Sequence, residues 1–363
     1  MSCSPSGARP NGGTSTLRSP DPEARVAALA LALAPGVGPA RYRQLRARLD
    51  APAALREAAA GPARATALRE AEQALVRMAT MPGGHVMIQG EADYPAALLD
   101  LADPPPVLFA AGDHAMLAGP LVAIVGTRRC TRYGERVSRE LGEAAARSGA
   151  GVVSGMALGI DAAAHRGALA AAGRTIAVLG TGPDVAYPAA HAALHREILA
   201  AGLALSEHPP GARSNAGSFP RRNRIIAALA GVTVVVEAGL RSGALITAGH
   251  ALELGRTVAA VPGPIDVAQS AGTNELLRDG AVVIAAPADL LALAGTTAPA
   301  AAPRRALTAD EATVWGLLAG GPADLDTLAT RSLLPANRCL AAVSTLELAG
   351  AIECAMTGEI RRR

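Results

Sequence analysis

Residues 121–155 read LVAIVGTRRCTRYGERVSRELGEAAARSGAGVVSG, and this stretch decides the fold. An apolar run, Leu121–Val125, ends in Gly126. Tyr133–Arg147 carries helical patterning, and a second apolar run, Gly151–Val153, follows it. Continuous apolar strands separated by a helix belong to a parallel sheet covered on both faces, because a strand with one wet face would alternate. The rhythm repeats at Thr175–Leu179, Leu203–Ser206, Val232–Val236, Thr257–Val261 and Ala281–Ile284, with another helix over Asp161–Ala172. In such sheets ligands meet the loops beyond the carboxyl ends of the strands. Those loops are therefore where function is sought.

The 363 residues suggest two or three domains at about 150 residues each. Half the chain is apolar and only 2% is aromatic, so the core is built from Ala, Val, Leu and Ile. There is no lysine, and all 34 basic residues are arginine. That removes a Walker A loop, a kinase phosphate clamp and a pyridoxal Schiff base, each of which needs a lysine amine. The net charge of +3 is only mildly basic. Cys3, Cys130, Cys339 and Cys354 lack C-x-x-C spacing and read as reduced thiols, with no zinc site. No metal or cofactor is expected. The N-terminus has no apolar signal region, and no run approaches the ~18 apolar residues of a membrane span. A soluble, cytoplasmic protein is expected.

On either side of the repeating core the pattern changes. Residues 1–20, rich in Ser, Pro and Gly, read as a disordered tail. Residues 21–80 are helical, broken at Pro35-Gly36-Val37-Gly38-Pro39. That break has a helix-hairpin-helix outline, whose turn either meets a phosphate or only reverses the chain. The proline-rich 80–118 stretch reads as a rigid connection leading into a core assigned to 81–295. Residues 296–306 are an Ala/Pro/Thr linker. In 307–363 a helix capped by Thr308 with Glu311, helices over Asp326–Thr330 and Pro335–Leu348, and a terminal hairpin outline a winged helix. Its mixed charge suits protein contact as well as DNA reading.

Several strand ends carry ligand-binding chemistry. Gly126-Thr127-Arg128-Arg129 and Arg132 precede a helix start near Gly134, where free N–H groups and cations favour an anion. Ser154-Gly155 leads to Asp161, a candidate helix cap and loop organiser, and to His165 one turn on. Gly180-Thr181-Gly182 is a half-fingerprint for a nucleotide, which Pro183 interrupts. His191 and His195 have helical metal spacing but no third ligand. Between His208 and Val236 there is no acid, yet Arg213, Arg221, Arg222 and Arg224 occur there with Asn223 and Phe219. Cations for phosphate beside a ring for a base are what single-stranded nucleic acid requires, although Phe219 could equally staple the helix. Arg241-Ser242-Gly243 repeats the theme after the next strand. Arginines from several loops at one sheet edge fit a polynucleotide better than one nucleotide.

These motifs resemble the DprA/Smf DNA-processing family: VAIVGTR (122–128), SGMALGIDAAAH (154–165), TIAVLGTG (175–182), SEHPP (206–210), FPRRNRII (219–226) and EAGLRSGALIT (237–247), in order. The resemblance covers about 23–294 strongly and 305–360 weakly. It implies an extended Rossmann-like α/β core with a parallel or mixed sheet, an N-terminal helical domain of sterile-alpha-motif type and a C-terminal winged helix. It also implies a non-enzymatic homodimer that binds single-stranded DNA. Such a protein protects DNA entering in natural transformation and loads a RecA-type recombinase past the single-strand-binding protein. The DNA-binding elements it carries over are Gly126-Thr127-Arg128, with Thr for Ser, and Phe219-Pro220-Arg221-Arg222-Asn223-Arg224. Ala189 stands where some members have a lysine after Tyr-Pro, and only Arg213 remains basic before Phe219.

Two other classes compete with that reading. One is a nucleotide hydrolase using Asp161, His165 and Glu237, for which no nucleophile–base spacing is evident. The other is an interaction scaffold that docks proteins through its terminal helical units.

Overall fold

The computed structural model describes residues 21–214, 217–296, 307–355 and 358–362. The expected tail and almost all of the expected linker lie outside them. Four helices open the chain: α1 (Pro22–Leu33), α2 (Pro39–Arg46), α3 (Ala51–Ala58) and α4 (Gly61–Ala79). Proline occupies the first or second position of each, where its missing N–H costs nothing. Asp21 and Asp50 cap α1 and α3 by accepting from Glu23 N and Ala53 N. Gly36, at φ +75°, turns the chain between α1 and α2.

The sheet has nine strands: β1 (His85–Ile88), β2 (Val107–Gly112), β3 (Leu121–Val125), β4 (Gly151–Ser154), β5 (Thr175–Leu179), β6 (Leu203–Ser206), β7 (Val232–Val235), β8 (Thr257–Ala260) and β9 (Val282–Val283). Their spatial order is β1-β2-β6-β5-β4-β3-β7-β8-β9. Pairing is parallel from β6 through to β9, and antiparallel at β1–β2 and β2–β6. The expected mixed α/β architecture is present. One expectation needs correction: residues 80–118 are not a mere connection, since they supply β1 and β2. Prolines 95 and 104–106 crowd the segment with turns, while the strands they separate are short: β1 pairs with β2, and β2 with β6, far away in the chain. The last expected strand, Ala281–Ile284, shrinks to two exposed residues at the sheet edge.

Side chains alternate across each strand and so build two layers. Ala123, Val125, Val235 and Val258 face one side. There they meet α8 (Ser218–Leu229) and α9 (Gly243–Glu253). Val122, Ile124 and Val234 face the other side. They meet α5 (Arg132–Arg147), α6 (Ile160–Ala170) and α11 (Pro287–Leu293). On that second side α7 (Ala192–Ala201) covers β5 and β6, while on the first side α10 (Ala271–Arg278) lies against β8 with Leu276 in the core there. Val107, Phe109 and Ala111 of β2 point into the N-terminal helices and share one core with them.

After the undescribed residues come α12 (Ala309–Leu317), α13 (Leu325–Ser332), α14 (Ala336–Leu348), β10 (Ile352–Cys354) and β11 (Ile360–Arg362). The capping box at Thr308 is formed, with Glu311 N donating to Thr308 Oγ1 and Thr308 N to Glu311 Oε2. Val314, Leu328, Cys339 and Leu346 close this unit's own core.

Phe109 is fully buried where the helices meet the sheet. Phe109→Ala should cost about 3–5 kcal/mol of stability, read as a lowered urea midpoint. An unchanged midpoint would show that the helices and the sheet do not share that core.

Candidate nucleic-acid interface

The chain winds outward from β3 through β4, β5 and β6, then returns to place β7 on the other side of β3. Loops leaving β3 and β7 therefore diverge, and a crevice opens at their carboxyl ends. That crevice is a cleft of about 450 Å³. Gly126, Thr127, Arg128 and Arg129 line it from the β3 loop, and Ser242, Gly243 and Thr247 from the β7 loop and α9. Phe219, Pro220, Arg222 and Asn223 close it from α8.

The β3 loop is held by one carboxylate. Glu237 is 3% exposed; its Oε2 accepts from Thr131 N at 2.8 Å and its Oε1 from Thr131 Oγ1 at 2.5 Å. Its backbone oxygen accepts from Thr127 N at 2.7 Å. Thr131 in turn caps α5 by accepting from Gly134 N. A Cβ on residue 134 would lie 2.4 Å from the Glu237 carboxyl carbon, so only glycine allows this approach. Burial and the negative charges of Glu237 and Glu135 raise the neighbouring Cys130 thiol above its ordinary range.

The β4 loop is organised by Asp161. It does not cap α6 as expected, because Gly159 takes that position at φ +78°. Asp161 Oδ2 instead accepts from Gly155 N (3.1 Å) and Ala157 N (3.4 Å). Between those two amides Met156 sits at φ +54°, a backbone state costly for a side chain. Its carbonyl is fixed by a bond from His191 Nδ1 at 3.0 Å. Burial raises the Asp161 carboxyl, opposed by the Arg222 charge and the backbone bonds. His165 faces Thr175 Oγ1 at 2.7 Å, not Asp161. Burial, with the Arg222 and His191 charges adding to it, pushes its imidazole down to about 3. His195 is spent on Pro183 O. No group of potential metal ligands occurs among the described residues.

The arginines divide into two sets. Arg128, Arg129, Arg132 and Arg241 are exposed and have no ion pair among the described residues. Arg128 lies over the Phe219 ring at 5.3 Å, and the Tyr187 ring meets Phe219 at 4.9 Å. Phe219 is half-buried rather than free, and it rests where a Cβ on Gly180 would crowd it. In the 213–224 run, the signal of an unpaired basic loop needs correction. Arg222 is buried and donates to Gly155 O and Val178 O. Desolvation brings its guanidinium down to about 10 despite Asp161. Arg224 is buried between Glu207 (2.5 Å) and Asp103 (3.4 Å). Asn223 ties α8 to Gly243 O. Arg213 and Arg221 are exposed, and Arg221 lies 3.9 Å from Glu207.

Buried positions also account for Ser154, whose hydroxyl donates to Ile124 O, and for Gly155, Gly180 and Gly182. None of these residues lines the cleft; they shape the loops behind it. The sequence reading missed Tyr187, 44% exposed beside Phe219, and the acids Glu207 and Asp103. Helical spacing was a usable signal for Arg222. It shares a face with Ile226 and Leu229, both buried.

A family model described as DNA recombination-mediator protein A matches residues 85–295, and one for the DprA winged helix domain matches 298–355. The chain is 45% identical over 261 residues to a putative DNA processing protein DprA of Mycobacterium tuberculosis, covering 69% of this chain and 67% of that one. It is 43% identical over 211 residues to protein Smf of Escherichia coli, covering 58% and 56% of the two chains. The X-ray structure of DNA processing protein A from Streptococcus pneumoniae superposes with a TM-score of 0.63 at 32% identity, over 74% of this chain and 96% of that one. The Helicobacter pylori protein, described by its single-stranded DNA binding mode, gives 0.52 at 34% identity, over 57% and 94%. No helix among the described residues is long and apolar enough to cross a membrane.

Two outcomes test this geometry. Glu237→Gln replaces one acceptor with a donor facing Thr131 and should cost about 1–3 kcal/mol, read by chemical denaturation; no loss would remove Glu237 as the loop's anchor. The second is pH dependence. Above about pH 6.5 His165 is neutral in both states. Below it the unfolded imidazole gains a proton that the folded one refuses down to about pH 3, so stability falls as pH falls through that window. His195 and His208, also lowered by burial, add in the same direction. Urea midpoints should decline with acid across it, less steeply in His165→Gln; a flat profile would contradict the assignment.

Proposed function

The chain belongs to the DprA/Smf DNA-processing family, and from that premise we propose that it binds single-stranded DNA along the carboxyl edge of its sheet. We further propose that it protects DNA entering by transformation and loads a RecA-type recombinase, displacing single-strand-binding protein. The observation that carries the reading is the pair of exposed cations Arg128 and Arg129 lining one crevice, with Arg132 and Arg241 exposed on the same two loops, none of them in an ion pair among the described residues, beside the Tyr187–Phe219 ring contact. Among the described residues the only acid lining that crevice, Asp161, is buried and turned to backbone amides. Phosphates would follow the exposed arginines and the N–H groups at the starts of α5 and α9, and bases would meet Tyr187 and the edge of Phe219.

In this reading Arg222, Arg224, Ser154, Gly155, Gly180 and Gly182 act from behind, by fixing loop shape. Its partners are single-stranded DNA, the recombinase and a second copy of the chain, which would join two strips and raise avidity. Its domains are a helical unit over 21–80, a DNA-binding core over 81–295 and a winged helix over 307–363. The hydrolase alternative loses support, because Asp161, His165 and Glu237 are each committed to holding structure.

Fluorescence anisotropy with a labelled oligothymidine across a salt series tests the proposal. Arg128→Ala should weaken binding similarly for all sequences and lower the salt slope by roughly 0.7 per lost phosphate contact. Wild-type protein that binds no single strand at low salt, or that prefers duplex, would sink it.

A further inference from the structure

A second pocket lies on the same sheet edge, beyond the β3 loop. It is lined by Tyr133, Val137 and Leu141 of α5, by Val261 and Ile284 past β8 and β9, and by Pro287 at the start of α11. Its volume is about 240 Å³, roughly eight waters' worth of liquid. The floor is apolar. Tyr133, 40% exposed, forms one wall, with the Arg136 guanidinium 5.6 Å from its ring centroid. Arg136 and Glu140 make a 3.2 Å ion pair at the rim. Three residues, Cys130, Thr131 and Arg132, separate this wall from Arg129 in the main cleft, and exposed Arg132 stands between the two.

We propose that this pocket accepts one nucleobase of a DNA single strand that continues out of the main cleft, an inference that rests on the DNA-binding reading above. Charge selects the part of the strand that enters. The Arg136–Glu140 ion pair leaves the pocket rim without net charge to hold a phosphate, while Arg129 and Arg132 on the cleft side attract one, so the backbone stays outside and the neutral base turns in. An exposed aromatic wall over an apolar floor is what an unstacked base seeks, whatever its sequence. Arg136 over the ring adds a cation in line with the backbone path. The strand order β3-β7-β8 puts the crevice and the pocket at neighbouring strand ends, linked in the chain by the loop from Gly126 to Arg132.

The test compares a short oligothymidine that fills the main cleft with one about twice as long, both bound to the full chain. Wild type should bind the longer one more tightly than its extra charge alone explains at high salt. Tyr133→Ala should abolish most of that gain, roughly tenfold for a single stacking contact, and Tyr133→Phe should retain it. The indole of Tyr133→Trp should be quenched by the longer oligomer and not by the shorter. The inference is overturned if Tyr133→Ala keeps the full gain or if the introduced indole is unquenched. If the wild type binds neither oligomer, the DNA-binding reading fails first, and this one with it.

Discussion

The candidate interface exists because the chain reverses direction across its own sheet. Four parallel strands, β3 to β6, are laid down outward in one direction, and the next must pair with the exposed side of β3. Crossing back takes α8 over one face, and its first turn arrives at the point where the loops of β3 and β7 part. Phe219, Asn223 and Arg222 reach the crevice by that route. The hydrogen bonds of Glu237 then lock the opposite wall, so two loops and one helix start are fixed by a single buried carboxylate and one crossover.

A basic motif can serve two purposes at once. In the 219–224 run, Arg222 and Arg224 are internal struts, one under the strained Met156 loop and one bonded to Glu207 and Asp103. Arg224 is held by charge rather than by a full set of hydrogen bonds, since its Nε and Nη1 find no hydrogen-bond partner among the described residues, and removing an acid partner from a buried guanidinium is far costlier than at the surface. Arg128, Arg129, Arg132 and Arg241 come instead from the β3 and β7 loops and have no ion pair among the described residues. The crevice thus has buried arginines bonded into the structure behind it and exposed ones in front.

Much of this was legible in the chain. Apolar runs such as Leu121–Val125 and Thr175–Leu179 matched their strands because buried parallel strands have no other way to be written. The winged-helix start was visible in Thr308 and Glu311, where capping is local chemistry. β1 and β2 were hidden, since four- to six-residue strands between prolines owe their state to a distant partner. At the site, Arg128, Arg129 and Ser242 stood out by position after a strand. The fate of Arg224 did not, because its acid partners sit on other segments: Glu207 just beyond β6, and Asp103 over a hundred residues earlier.

The order of strands also fixes the order in which the molecule can become itself. Val122 waits for Val232 and Phe109 for Ser206, so the sheet is stitched on both sides of its β3–β6 block by remote pairings. During synthesis β3 leaves the ribosome with one flank bare, and it stays bare until β7 follows about 110 residues later. The crevice is therefore among the last features to form. A ribosome-bound or truncated chain that stops before β7 has the helical unit and four of the parallel strands in hand, but no DNA-sized cleft and an unpaired central edge open to aggregation.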